Sequence, residues 1–251
     1  MIRALALLLT LATPAAAEEV VAALSQDRVS ISTSFDGSEI LVYGAIKREG
    51  PAPEAPPLAV IVTVAGPDEA VVVRRKDRVA GIWVNAAGIE VERAPSFYAI
   101  ASSMPLREAL SFTEDLRWRV STPMKLRAVG AASMADDAGA FLDALIRVRR
   151  ASGLYANDAA PLTLAEETLF STEIALPSAL IEGNYDTRIL LTRGGRVVDV
   201  FETTIFVHKV GLERFIYALA HERPLAYGVL SLAIAIAAGW MASTLFRWLL
   251  P

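Results

Sequence analysis

The sequence predicts a mainly β fold: an antiparallel immunoglobulin-like sandwich with one inserted or covering helix, followed by a C-terminal transmembrane helix. Three observations carry this expectation. Short β-branched runs are punctuated by Gly and Pro, a single long stretch between them has helical period, and the chain from Leu225 to Phe246 carries no charge. Of 251 residues, 54% are apolar, and the apolar excess gathers at the two ends. The expected organisation is therefore a signal peptide over 1–17, a periplasmic β-sandwich domain over 18–208, a juxtamembrane amphipathic helix over 209–223 and a transmembrane helix over 224–249.

The leader follows from Arg3, an apolar run from Ala4 to Ala12 too short to span a bilayer, and the small residues Ala15-Ala16-Ala17 before Glu18-Glu19. That pattern predicts export and cleavage after Ala17. The domain begins with strand runs at Val29–Ser34, Ile40–Ile46, Leu58–Ala65 and Ala70–Val73, and continues at Ile82–Asn85, Gly88–Glu92 and Phe97–Ser102. Gly50-Pro51 and Gly66-Pro67 punctuate the series, and 50–57 reads as a surface loop. Leu106–Leu110 reads as a helical turn. From Asp136 to Ser152 a helix is predicted, with Phe141, Leu142, Leu145 and Val148 on one face, acids at its start, Arg149 and Arg150 at its end and Gly153 beyond. It is expected to cover one face or edge of the sheet.

Strands return at Leu169–Ala175, Tyr185–Thr192 and Val197–Val207, the last two joined by the turn Arg193-Gly194-Gly195-Arg196. Seven to nine strands closing in that hairpin favour the sandwich, with Tyr185 as the candidate for a hydroxyl that pins the corner before a penultimate strand. After the domain, Leu212, Phe215, Ile216 and Leu219 keep the spacing of an amphipathic helix that either lies on the membrane or packs on the domain. The last helix has Pro224 at its first position, with Tyr227, Arg247 and Trp248 placed as interfacial anchors. Within it Ser231, Ala235, Gly239 and Ser243 recur at every fourth position, a ridge of small side chains that lets another helix approach closely. The implied topology is a single pass through the inner membrane, the domain outside and a short tail inside.

Little in the sequence supports catalysis. A net charge of −4 argues against nucleic acid, and the lack of cysteine removes disulfides, thiolate metal sites and thiol nucleophiles together. His208 and His221 lie in no ligand arrangement, and there is no serine elbow or phosphate loop. Asp136-Asp137 reads as helix capping and Glu166-Glu167 as a loop pair. The expectation is a protein that is not an enzyme and takes no cofactor or metal. One region stands out: Arg74, Arg75, Lys76 and Arg78 between two strand candidates form a basic turn able to meet anionic ligands, lipid headgroups or an acidic partner, or merely to discourage edge pairing. Trp83 follows it, and the alternation of its neighbours favours a core position over a binding face.

Val207-His208-Lys209-Val210-Gly211-Leu212-Glu213-Arg214, Pro224-Leu225-Ala226-Tyr227-Gly228 and Gly239-Trp240, with Ile82-Trp83-Val84-Asn85 and Gly183-Asn184-Tyr185, resemble a family of alphaproteobacterial transmembrane proteins. The resemblance implies a bacterial inner-membrane protein with an exported domain, a function not established for the family, and no catalytic residues to carry over. It also brings a loose association with permeases of the sulfite-exporter type, which fits an accessory role. Two readings follow: a non-enzymatic interaction protein whose partner is another membrane protein or a second copy met through the span, and a tethered sensor that binds a small ligand near Trp83.

Overall fold

The computed structural model describes residues 18–32, 35–50, 55–126, 137–157, 162–210 and 212–249. One sheet has the order β1 (Glu18–Leu24), β3 (Ser38–Arg48), β10 (Leu169–Leu176), β9 (Thr163–Ala165). The other runs β2 (Arg28–Ile31), β12 (Arg196–Lys209), β11 (Gly183–Arg193), β4 (Leu58–Ala65), β7 (Tyr98–Ser102), β8 (Tyr155–Asn157), and β5 (Asp68–Val79) pairs with β6 (Ile82–Pro95) as a separate hairpin. The pairs β1·β3, β3·β10, β10·β9, β12·β11, β11·β4, β4·β7 and β5·β6 are antiparallel, while β7 and β8 pair parallel. The Phe206 N–H donates to the Asp27 carbonyl and the Val210 N–H to the Ile31 carbonyl, both at 2.8 Å, so β2 and β12 ascend together and are also parallel. The order β1-β3-β10-β9 against β12-β11-β4 is that of an immunoglobulin-type sandwich, first, second, fifth and fourth strands facing the last, sixth and third.

The burial pattern explains the layers. Along β10 every second side chain is buried, the signature of a sheet with one wet face, whereas all of β4 is buried because both of its faces are covered. On one side the sheets meet, β10 reaching β7 and β1 reaching β11. On the other, Ala59, Ile61, Ala65 and Leu190 pack with Ile89 and Val91 of the hairpin and with Phe141, Leu145 and Ile146 of a helix. That helix, α4 (Ala138–Ala151), matches the predicted one in extent, with Ile146 rather than the exposed Val148 completing its buried face, and the Asp137 carboxylate caps it by accepting the Ala140 N–H at 3.3 Å. α1 (Leu106–Ala109) is the predicted turn. Two further helices, α2 (Phe112–Trp118) and α3 (Thr122–Lys125), were not expected; they complete the cover over the same sheet face.

Tyr185 behaves as predicted. It is wholly buried at the start of β11, and its hydroxyl donates to the Ile181 carbonyl four residues upstream at 2.9 Å. Tyr185→Phe keeps the ring and orphans that carbonyl, so a loss of about 1 kcal/mol in urea unfolding is expected, with the fold unchanged by circular dichroism. The turn Gly194-Gly195 has φ of +58° and +77°, the left-handed pair a two-residue hairpin requires.

Several expectations need correction. Twelve strands are present among the described residues, more than the seven to nine expected, because β1, β8 and β9 are short or lack a run of β-branched residues. Ala70–Val73 belongs to a longer strand, and Ile82–Asn85 and Gly88–Glu92 are one continuous strand. The leader, its cleavage after Ala17, positions 51–54 of the predicted loop and Asp136 lie outside the described residues.

Among the described residues, those up to Val29 and from Asp36 to Val207 form one unit, and those within Ser30–Phe35 and His208–Pro251 form a second. In the second, α5 (Leu212–Glu222) and α6 (Pro224–Leu249) follow one another, with the Tyr227 N–H returning to the Arg223 carbonyl at 3.1 Å. Of the four residues predicted as an apolar stripe, Leu212 and Phe215 have side chains outside the described set, Ile216 is exposed and Leu219 half-buried. The side chains of Arg247 and Trp248 likewise lie outside it.

Candidate functional site

The basic residues and Trp83 come together on the β5–β6 hairpin. Its lower half is a packed element: Ile89 and Val91 are buried, and Arg149 of α4 holds Glu69 at 3.3 Å. The Arg75 guanidinium sits over the Phe141 ring at 5.4 Å, the last point at which the helix supports the strands. Beyond it, from Lys76 to Asn85, every residue is exposed. A bulge between Arg75 and Lys76 marks the change, since an extra residue on β6 re-aims the strand there.

The turn itself is Ala80-Gly81, with φ of +49° and +86°. Val79 faces Ile82, Arg78 faces Trp83, Asp77 faces Val84 and Lys76 faces Asn85. With side chains alternating, Val79, Ile82 and Val84 share one face and Arg78, Trp83 and Lys76 the other. The Arg74–Arg78 run is thus a strand segment leading to the turn rather than the turn. Trp83, favoured as a core residue by its alternating neighbours, is 66% exposed, and Ile82 beside it is 68% exposed. Alternation reports a pleated ladder; it does not report a layer to bury one face of it. The same exposure leaves the tip open to solvent among the described residues.

A second surface was not anticipated. On the outer face of the β1-β3-β10-β9 sheet, Val21, Ala45, Leu169 and Ala165 lie side by side across four strands, and Ala23, Tyr43 and Ser171 form the next row. Val21 and Leu169 are more than half exposed, and Tyr43 is 45% exposed. Glu173 stands opposite Leu41, and Glu39 opposite Ala175. The signal was available in the alternation of Tyr43 and Leu41 with buried Val42, but which side is wet depends on the layer order.

In α6, Ser231, Ala235, Gly239 and Ser243 occupy one side of a helix whose apolar segment Pro224–Thr244 is covered by nothing else in the chain among the described residues. A Cβ placed on Gly239 would meet no atom within 4 Å, so a neighbouring helix has room to approach there.

Residues 19–248 match the family described as "Putative transmembrane protein (Alph_Pro_TM)". The chain belongs to that family. The match covers both the β domain and α6, the one helix among the described residues long and apolar enough to cross a bilayer, which anchors this member in a membrane. No curated protein matches the chain.

Several titratable groups of this family member have partners within the chain. His208 Nε2 lies 3.3 Å from Ser30 Oγ, and His221 is stacked on Tyr217 with Nδ1 2.9 Å from that residue's carbonyl. Among the described residues no cluster of His, Asp and Glu is suited to a metal. Burial pushes the Tyr155 hydroxyl up to about 12, and it donates to the Pro95 carbonyl. The Tyr98 hydroxyl donates to the Val120 carbonyl, and Lys125 lies 5.8 Å from the Tyr98 ring. Burial, then the nearby Arg188 charge, holds Lys125 below the usual ammonium range. Glu166 and Glu167 both have positive φ in the turn before β10, a loop role as expected.

Proposed function

We propose that this chain is a non-enzymatic accessory protein of an inner-membrane complex, its β domain held in the periplasm after leader cleavage and its span pairing with a helix of another membrane protein. The observation that carries the reading is α6: an apolar helix with no cover from its own chain among the described residues and with Ser231, Ala235, Gly239 and Ser243 along one side. Small residues at four-residue spacing let two backbones approach and pack where lipid offers no hydrophobic gain. A permease is one partner class that fits this accessory reading. Ala235→Leu with Gly239→Leu fills the ridge while leaving the span apolar. The expected result is at least tenfold less co-purified partner from native membranes at unchanged abundance; undiminished co-purification overturns the helix contact.

A further inference from the structure

Two surfaces of the β domain match in apolar character and complement each other in charge. The hairpin tip offers Val79, Ile82, Trp83 and Val84, each at least 40% exposed, surrounded by Arg74, Arg75, Lys76 and Arg78 with Asp77 as the one acid of that run. The outer face of the β1-β3-β10 sheet offers Val21, Leu41, Tyr43 and Leu169, with Glu39 and Glu173 beside them and Glu19 paired to Lys47 at 3.2 Å. Glu39 and Glu173 form no ion pair among the described residues. An antiparallel sheet with one wet face ordinarily carries polar residues there, so an apolar row crossing four strands calls for a cover. The hairpin tip calls for one too, and the cations of one surface match the acids of the other.

We propose that the β5–β6 tip of one copy docks on the outer face of the β1-β3-β10 sheet of a second copy. Trp83 settles on the Val21–Ala45–Leu169 row, and Arg78 and Lys76, on the same face of the hairpin as Trp83, meet Glu173 and Glu39. Within one chain the tip cannot serve its own sheet, because the hairpin is fixed by Ile89, Val91 and Arg75 to α4 on the opposite side of the β4-containing sheet. The contact is therefore head-to-tail, each copy keeping one free tip and one free face, and copies anchored in one bilayer assemble as rows or rings. Charged groups at the edge of such a contact steer it and make it sensitive to salt.

The proposal is independent of the α6 ridge, and the experiment separates the two. The full-length chain is reconstituted in vesicles, and because it contains no native cysteine, Asn85→Cys with Ser171→Cys provides an unambiguous oxidative crosslink. The cysteine-bearing chain should give a ladder of dimers, trimers and larger species, reduced at least tenfold by Trp83→Ala on the tip, or by Tyr43→Arg with Leu169→Arg on the face. Mixing the tip variant with the face variant should restore a single dimer band and no ladder, since only one complementary contact remains. In the Ala235→Leu, Gly239→Leu background the ladder should persist. A ladder that survives either surface change, a mixture that gives no dimer although both variants unfold at the wild-type temperature, or a ladder lost only with the α6 ridge overturns the proposal; the last outcome leaves the helix contact standing.

Discussion

Glu18→Ala is expected to destabilise the β domain by ~3–5 kcal/mol, the usual result of removing one partner from a buried ion group. The Glu18 carboxylate is 4% exposed and lies between two guanidiniums that are themselves nearly buried. Arg193 grips it with a fork, Nη2 to Oε1 at 2.7 Å and Nε to Oε2 at 3.0 Å, while Arg48 Nε reaches Oε1 at 2.8 Å. Arg48 lies in β3 and Arg193 in β11, so the carboxylate ties the two sheets together at the first residue of β1. Without it two like charges face each other with little water between them. Burial opposes ionisation of Glu18, but the hydrogen bonds and charges of Arg193 and Arg48 prevail and hold its carboxyl below the usual range. A lowered folded-state value means that this contribution is present above the ordinary carboxylate value of about 4.3 and is lost as pH falls through the folded value beneath it. Urea unfolding of wild type and Glu18→Ala at descending pH should therefore converge below pH 4. A constant gap across that range, or no gap at pH 7, sinks the account.

Ile234→Asp should detach the chain from its membrane. Residue 234 sits at the middle of the apolar segment Pro224–Thr244. Leu225, Val229, Leu230, Leu232, Ile234 and Ile236, at roughly 0.3–0.6 kcal/mol each, together favour insertion by about 2–4 kcal/mol, and one mid-helix Asp costs about 2.5–3.5 kcal/mol. One carboxylate thus offsets nearly the whole aliphatic contribution. The expected readout is a fall in the fraction resisting carbonate extraction, with Ile234→Val unchanged as the control. Full retention of Ile234→Asp would mean that partner helices shield the position, which fractionation in a partner-free vesicle then resolves.

Much of the fold was legible because its signals are local. Leu58–Ala65 is a strand at the predicted bounds, the Asp137 cap and the Arg149-Arg150 end of α4 follow from backbone groups left unpaired at helix termini, and the Gly194-Gly195 turn follows from left-handed φ. The strands and helices missed were those whose identity rests on neighbours. β1 exists because β3 pairs with it along seven residues from Glu18 to Leu24, and α2 because Ser111 Oγ accepts the Glu114 N–H and Glu114 in turn holds Trp118 Nε1 at 3.1 Å.

By itself the sequence determined the fold class, the corner tyrosine, the apolar span and its row of small residues, since each depends on periodicity or on the chemistry of single residues. Only the tertiary structure decided which faces stay wet. Trp83 and Tyr43 both alternate along their strands as core residues do, yet one stands on a hairpin tip beyond the last support of α4 and the other on a sheet face with no layer above it. Glu18, which reads as an ordinary acid, becomes the buried link between two sheets. Period tells a side chain which way to point, but burial depends on what the rest of the chain brings to that side.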